Sequence, residues 1–65
     1  MKLSEAVRQS LRDDKPMSVH ECYIRVKLFV KGAMLESVHA ELARQYKNQE
    51  IRRISRGMYQ KRKFL

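Results

Sequence analysis

The spacing of apolar residues changes abruptly after Asn48, and this change constrains the fold more than any other feature of the sequence. Before that point, apolar residues recur every three or four positions, as on one face of an α-helix. After it, apolar and basic residues are interleaved on both sides of Arg56-Gly57, and glycine supplies the positive φ that a tight hairpin turn demands. We therefore predict helices followed by a C-terminal β-hairpin over about 50–62.

Three helices are predicted before the hairpin, over about 3–12, 18–31 and 34–47. Pro16 separates the first two, because proline disfavours helical geometry at the residue before it. Ser18 and Glu21 have the spacing of a capping box, which marks the start of the second helix. Gly32 is the expected C-terminal stop of that helix. The predicted fold is one domain over 1–65, mostly α with a C-terminal hairpin.

Residues 23–30 leave two interpretations open, helix or strand. From Tyr23 to Leu28, apolar and polar residues alternate as in a strand. The same segment also fits a helical face formed by Val19, Cys22, Tyr23, Val26, Phe29 and Val30. The capping box favours the helix, in which Ile24 and Leu28 are left on the opposite side.

Periodicity also predicts the packing of the later elements. In the third helix, the apolar face comprises Leu35, Val38, Leu42 and Tyr46. Its opposite face carries small or polar residues first and basic residues in the last turn. An isolated two-stranded hairpin is marginal in water. We therefore expect Ile51, Ile54 and Tyr59 to pack against the helices, while the arginines between them point outward.

The positive charge is concentrated in the last third of the chain. Residues 1–43 contain seven basic and six acidic residues, a net charge of +1, whereas residues 44–65 contain eight basic residues and only Glu50, a net charge of +7. Unbalanced cations in a short segment repel one another unless a polyanion binds them. The pattern therefore indicates a polyanionic partner, with nucleic acid the first candidate and anionic lipid the second.

Length and composition exclude several other classes of function. A 65-residue chain buries only about 60% of its unfolded surface, which makes an enzyme with its own substrate cleft improbable. Cys22 is the single cysteine, so no internal disulfide is expected. His20 and Cys22 are too close for the usual zinc-ligand pairs, and we expect no metal or cofactor. No apolar stretch reaches the length of a membrane span, so we expect a cytoplasmic protein without a membrane partner.

The order of predicted elements resembles that of the winged helix-turn-helix family of DNA-binding domains. The most specific stretch is 35–60, LESVHAELARQYKNQEIRRISRGMYQ. It is similar to a recognition helix that leads into a wing, where prokaryotic members commonly have an apolar-Arg-Arg-apolar-x-Arg-Gly-x-Tyr string. Residues 18–32 resemble, more weakly, the first helix of the helix-turn-helix pair. The short chain suggests a regulator from a phage or another mobile element.

The resemblance implies roles for individual residues on double-stranded DNA. The third helix would enter the major groove, and its base-reading residues would be Ala33, Glu36, Ser37 and Ala40. Contacts to the phosphate backbone or from the wing would come from Arg44, Lys47, Arg52, Arg53, Arg56, Lys61, Arg62 and Lys63, of which the last three begin a basic tail over 61–65. These assignments predict a sequence-specific transcriptional regulator, associated with the nucleoid.

A DNA-binding chain of this size offers little contact area, so we expect a homodimer or cooperative assembly on DNA. The dimer would use the first helix, or Ile24 and Leu28 on the second. We expect no small-molecule effector, because 65 residues leave no room for a separate effector domain. Two alternatives remain open: a small basic protein-binding module, such as a phage-encoded inhibitor of an acidic host protein, and an RNA-binding protein.

Overall fold

The computed structural model of the protein describes residues 1–62, which form three helices and a three-stranded antiparallel sheet. In chain order the elements are α1 (Leu3–Ser10), β1 (Met17–Ser18), α2 (Val19–Val26), α3 (Leu35–Lys47), β2 (Ile51–Ser55) and β3 (Met58–Lys61). The strand order is β1-β3-β2. The predicted helices and C-terminal hairpin are confirmed, but the third strand makes the fold mixed α/β rather than mostly α.

α1 ends two residues before its predicted end. Leu11 adopts an extended backbone and is only 3% exposed, so the chain leaves the helix in order to bury this side chain in the core. The carbonyl of Arg12 then accepts a hydrogen bond from the backbone N–H of Lys61 at 2.9 Å. Residues 11 and 12 therefore belong to the connection with the sheet, and the predicted helix over 3–12 was too long.

β1 was not predicted. Met17 pairs with Tyr59 and Ser18 with Met58, which joins the start of α2 to the last strand of the sheet. Ser18 then begins α2 through the predicted capping box. Its Oγ accepts from the N–H of Glu21 at 3.1 Å, and its own N–H donates to Glu21 Oε1 at 3.3 Å. For residues 23–30, where helix and strand were both open, the helical interpretation is confirmed as far as Val26.

α2 stops five residues before its predicted end at residue 31, and Gly32 is not its stop. The N–H groups of Leu28 and Phe29 donate to carbonyls three residues earlier, in tighter turns than those of an α-helix. These turns direct Val30 and Ala33 back against the core. Phe29, predicted on the inner face, is 48% exposed as a consequence.

α3 ends in a Schellman motif whose left-handed residue is not glycine. The N–H of Glu50 donates to the Gln45 carbonyl at 2.8 Å, and the N–H of Gln49 to the Tyr46 carbonyl at 3.0 Å. Gln49 has φ 62, the left-handed region that side chains with a Cβ disfavour. This turn reverses the chain and sets the direction in which β2 leaves the helix.

The hairpin turns at Gly57, whose φ of 75 confirms the predicted role of this glycine. The pairing is irregular between Arg53 and Ser55, so Ile54 is an extra residue without a partner on β3. Ile54 is 45% exposed, and the prediction that it packs against the helices is wrong because the bulge turns it away. Ile51 and Tyr59 are buried as predicted.

The core lies between the three helices and the sheet. Fully buried side chains come from every helix: Ala6, Val7, Cys22, Val26, Val38 and Leu42. On α3 the buried face is rotated from the predicted one, because Gln45 is fully buried while Leu35 and Tyr46 are each 43% exposed. The Nε2 of Gln45 donates to the Ser4 carbonyl and to Glu41, whereas its buried Oε1 has no hydrogen-bond partner among residues 1–62.

Candidate nucleic-acid interface

One face of α3 is turned away from the core along the whole helix. Val38, Leu42 and Gln45 are buried, and at 100° per residue the opposite line comprises Glu36, Ala40, Ala43 and Lys47, all exposed. The line is acidic at its first residue, small in the middle and basic at its end. We call these four residues the outward line of α3.

The structure brings three of the four predicted base-reading residues onto exposed α3. Glu36 and Ala40 belong to the outward line, and Ser37 lies on a flank of it, on the same side as Arg44. Ala33 is different, because it precedes the helix and packs half-buried against the core. Its predicted place on the exposed helix face is therefore wrong. Ala43 was missed, although its spacing from Ala40 and Lys47 was available in the sequence.

The two residues of α3 predicted to contact phosphates, Arg44 and Lys47, lie in different surroundings. Lys47 is exposed. Arg44 instead forms an ion pair with Glu41 and lies 3.8 Å from Glu50, which also pairs with Arg8. Burial raises the pKa of Glu41, but hydrogen bonds from Arg44 and Gln45 outweigh that effect, so its pKa is lower than usual. Arg44 thus already has carboxylate partners within the chain.

The wing, defined here as β2, the Arg56-Gly57 turn and β3, is fixed to the end of α3 by aromatic contacts. The Arg53 guanidinium lies 5.6 Å from the centroid of the Tyr46 ring. Tyr46 in turn meets Tyr59 edge-on, with ring centroids 6.4 Å apart. These contacts place the cation of Arg53 beside α3, although Tyr46 had been expected in the core.

The other predicted basic residues of the wing surround this junction. Arg52, Arg53 and Arg56 are exposed, as predicted. Lys61 lies within β3, and the Arg62 guanidinium donates to the Gln49 carbonyl. A notch of about 240 Å³ opens between helix end and wing, lined by Tyr46, Gln49, Ile51, Arg52, Arg53 and Arg62. Lys63 and the rest of the predicted basic tail lie outside the described residues.

A second concavity, of about 380 Å³, lies at the opposite end of α3, where the start of α2 approaches it. Its lining is Val19, His20, Leu35, Glu36 and His39. Within residues 1–62, no three His, Cys, Asp or Glu side chains converge in the way that a metal ion requires. Both histidines line this concavity together with Glu36, the first residue of the outward line of α3.

Cys22 is fully buried in the core, as predicted. Burial raises the pKa of its thiol to about 11, so the reactive thiolate is scarce at neutral pH. In the part of the chain that the structure describes, no helix has both the length and the apolar composition needed to cross a membrane.

Comparison of the chain with protein-family models, with curated proteins and with solved structures found no match. Function is therefore inferred from the geometry and charge of the surface formed by α3 and the wing.

Proposed function

We propose that this protein is a sequence-specific, double-stranded DNA-binding regulator of transcription, of the winged helix-turn-helix type. α3 would lie in the major groove and the wing would contact the adjacent backbone or minor groove. The observation that carries the proposal is the cation–π contact of Arg53 with Tyr46, which joins the basic wing to the helix that exposes Ala40, Ala43 and Lys47. The face of α3 proposed to contact bases and the wing proposed to contact phosphates thus lie side by side.

The dimensions of α3 suit a major groove. Its 13 residues extend about 20 Å, and a helix about 10–12 Å in diameter fits a groove about 12 Å wide. Ala40 and Ala43 allow close approach of the helix backbone and offer methyl groups for a thymine methyl. Glu36 accepts hydrogen bonds, the chemistry that recognises the amino group of cytosine.

The unpaired cations support phosphate binding. Within residues 1–62, Lys47, Arg52, Arg53 and Arg56 form no ion pair, so phosphates need not displace a carboxylate from them. Each phosphate that such a cation neutralises releases counterions from DNA and makes binding salt-dependent. Arg44 would contribute less than Lys47, because Glu41 and Glu50 already hold its guanidinium.

The proposal is tested by the salt dependence of binding to a labelled duplex of mixed sequence, measured by fluorescence anisotropy. Lys47→Ala and Arg53→Ala should each weaken binding and reduce the slope of log K against log salt by about one. Lys15→Ala is the matched control, since it removes an exposed cation that lies beside Ile24 and Arg25 of α2 and should leave the slope unchanged. Equal effects of all three substitutions would contradict the assigned surface.

The same assay separates DNA binding from the two alternatives. An unlabelled RNA hairpin of equal charge should compete less well than an unlabelled duplex. Preferential competition by RNA would replace the DNA proposal with an RNA-binding one. A failure of both polyanions to bind, together with capture of an acidic protein, would favour the protein-binding module.

A further inference from the structure

The notch between the end of α3 and the wing gathers several guanidinium groups in one small concavity. Three of its lining residues are arginines, namely Arg52, Arg53 and Arg62. No carboxylate among residues 1–62 lines it. Glu50 directly precedes β2, but its carboxylate pairs with Arg8 instead. The notch is therefore cationic, and no acidic group of the described chain balances its charge from within.

The arginines of the notch are held by uncharged partners. The Arg53 guanidinium lies 5.6 Å from the centroid of the Tyr46 ring, and the Arg62 guanidinium donates to the Gln49 carbonyl. Together with Arg52, they form no salt bridge within the described chain. A guanidinium has five N–H donors, so a ring or a single carbonyl leaves most of them free for a ligand. Like charges in a confined space repel one another, and an anion that bridges them removes this cost.

The size of the notch suits an anion larger than one phosphate group. Its volume is about 240 Å³, which at about 30 Å³ per water corresponds to about eight water molecules. A single phosphate group fills only part of this space, whereas two phosphate groups linked through an oxygen fill most of it. A diphosphate group also carries more negative charge than a phosphodiester. It therefore matches a group of three guanidinium ions better than one phosphate of a DNA strand does.

We propose that the notch is a binding site for a diphosphate group, in the form of inorganic pyrophosphate or of a nucleoside diphosphate. Arg52, Arg53 and Arg62 donate to its non-bridging oxygens, which the planar fork of a guanidinium can bind in pairs. The site is built from the end of α3 and the wing. It thus needs no separate effector domain, the absence of which was the reason to expect no small-molecule effector.

Occupation of the notch has a consequence for DNA binding. Arg52 and Arg53 line the notch and also belong to the proposed DNA interface. A ligand and a duplex that use the same cations exclude each other, so the ligand weakens binding of the duplex. This consequence rests on the proposed function, whereas the diphosphate site itself concerns the free protein.

Titration of the free protein with sodium pyrophosphate, followed by isothermal calorimetry at about 0.15 M ionic strength, tests the site. The wild-type chain should show one saturable site. Arg52→Gln and Arg53→Gln should each weaken binding about tenfold, the effect of losing one charge-assisted hydrogen bond. Arg56→Gln is the matched control, because it removes the same charge from an exposed position of the wing outside the notch lining. It should leave the affinity unchanged.

Two further ligands define what the notch recognises. Orthophosphate should bind at least about tenfold more weakly than pyrophosphate, because it cannot contact all three arginines at once. Adenosine diphosphate distinguishes the two sources of the group. Tighter binding of adenosine diphosphate than of pyrophosphate would support the site and assign it to a nucleotide, whereas equal or weaker binding would support it with the inorganic ion as ligand.

Three results would overturn the inference. They are the absence of a saturable pyrophosphate site, equal affinity for orthophosphate and pyrophosphate, and an effect of Arg56→Gln as large as that of Arg53→Gln. Circular dichroism of each variant excludes unfolding as the cause of lost binding.

A competition assay separates this inference from the proposed function. Pyrophosphate is added to the protein–duplex complex at constant ionic strength and should displace the duplex. If pyrophosphate binds and no duplex does, the notch is supported and the proposed function is wrong. If a duplex binds and pyrophosphate does not, the inference alone is wrong. Binding of both without competition would contradict the shared use of Arg52 and Arg53.

Discussion

Gln49 holds the turn between α3 and the wing in a conformation that suits glycine better. Its φ is 62, and the two backbone hydrogen bonds of the Schellman motif require that geometry. The left-handed conformation destabilises the folded state by about 1–2 kcal/mol for a residue with a Cβ. Glycine avoids this cost but loses about 0.5–1 kcal/mol more backbone entropy on folding. Gln49→Gly should therefore stabilise the protein by a net amount of about 0.5–1 kcal/mol.

Urea unfolding followed by far-ultraviolet circular dichroism measures this effect. In a thermal melt, the same gain should raise Tm by about 2–8 °C for a domain of this size. Gln49→Ala is the control, because it keeps the Cβ and should match the wild type within about 0.5 kcal/mol. The reasoning fails if Gln49→Gly is less stable than wild type. It also fails if alanine stabilises as much as glycine, since the gain would then have a cause other than the left-handed backbone.

Three further predictions concern stability and reactivity. Ser18→Ala should cost about 1 kcal/mol by removing the cap of α2, whereas Ser55→Ala on exposed β2 should cost little, as urea unfolding would show. The pKa of Glu41 is lowered in the folded state, so the ionised carboxylate stabilises the fold fully above its ordinary pKa of 4.5. This stabilisation is lost as pH falls through the lower pKa of the folded state, so the stability of Glu41→Gln should decline less steeply toward acid than that of wild type. Cys22 should react with iodoacetamide at mildly alkaline pH only as fast as the protein unfolds, and immediate labelling of the folded chain would contradict its burial.

Local chemistry made part of the fold predictable from the sequence. The capping box of Ser18 and Glu21 involves groups three residues apart, and the positive φ of Gly57 follows from the turn itself. Both features appear where the sequence places them. β1 was not predicted because two residues are too few to show the alternating pattern of a strand. Its partners on β3 also lie about forty residues later in the chain. The Schellman motif was not predicted because Gln49 occupies its left-handed position, where glycine is the usual residue.

The candidate site shows the same division. Exposure of Arg52 followed from its alternation with buried Ile51, and Glu36 and Ala40 lie on α3 as its period requires. The ion pair of Arg44 with Glu41, three residues earlier on α3, follows from the same period, but the contact of Arg44 with Glu50 could not be found in that way. Glu50 reaches it only because the chain reverses after α3. The cation–π contact of Arg53 with Tyr46 likewise depends on how the wing folds back, which no local pattern encodes.

The most direct test of the central claim is selection of bound duplexes from a random DNA pool, performed with wild type, Ala40→Gln and Gln9→Ala. The wild-type chain should enrich a defined motif, and Ala40→Gln should change it at one or two positions because that residue lies on the outward line of α3. Gln9→Ala exchanges the same residue types on exposed α1 and should select the wild-type motif. Failure to enrich any motif, or the same motif from all three proteins, would contradict the claim that α3 reads DNA sequence.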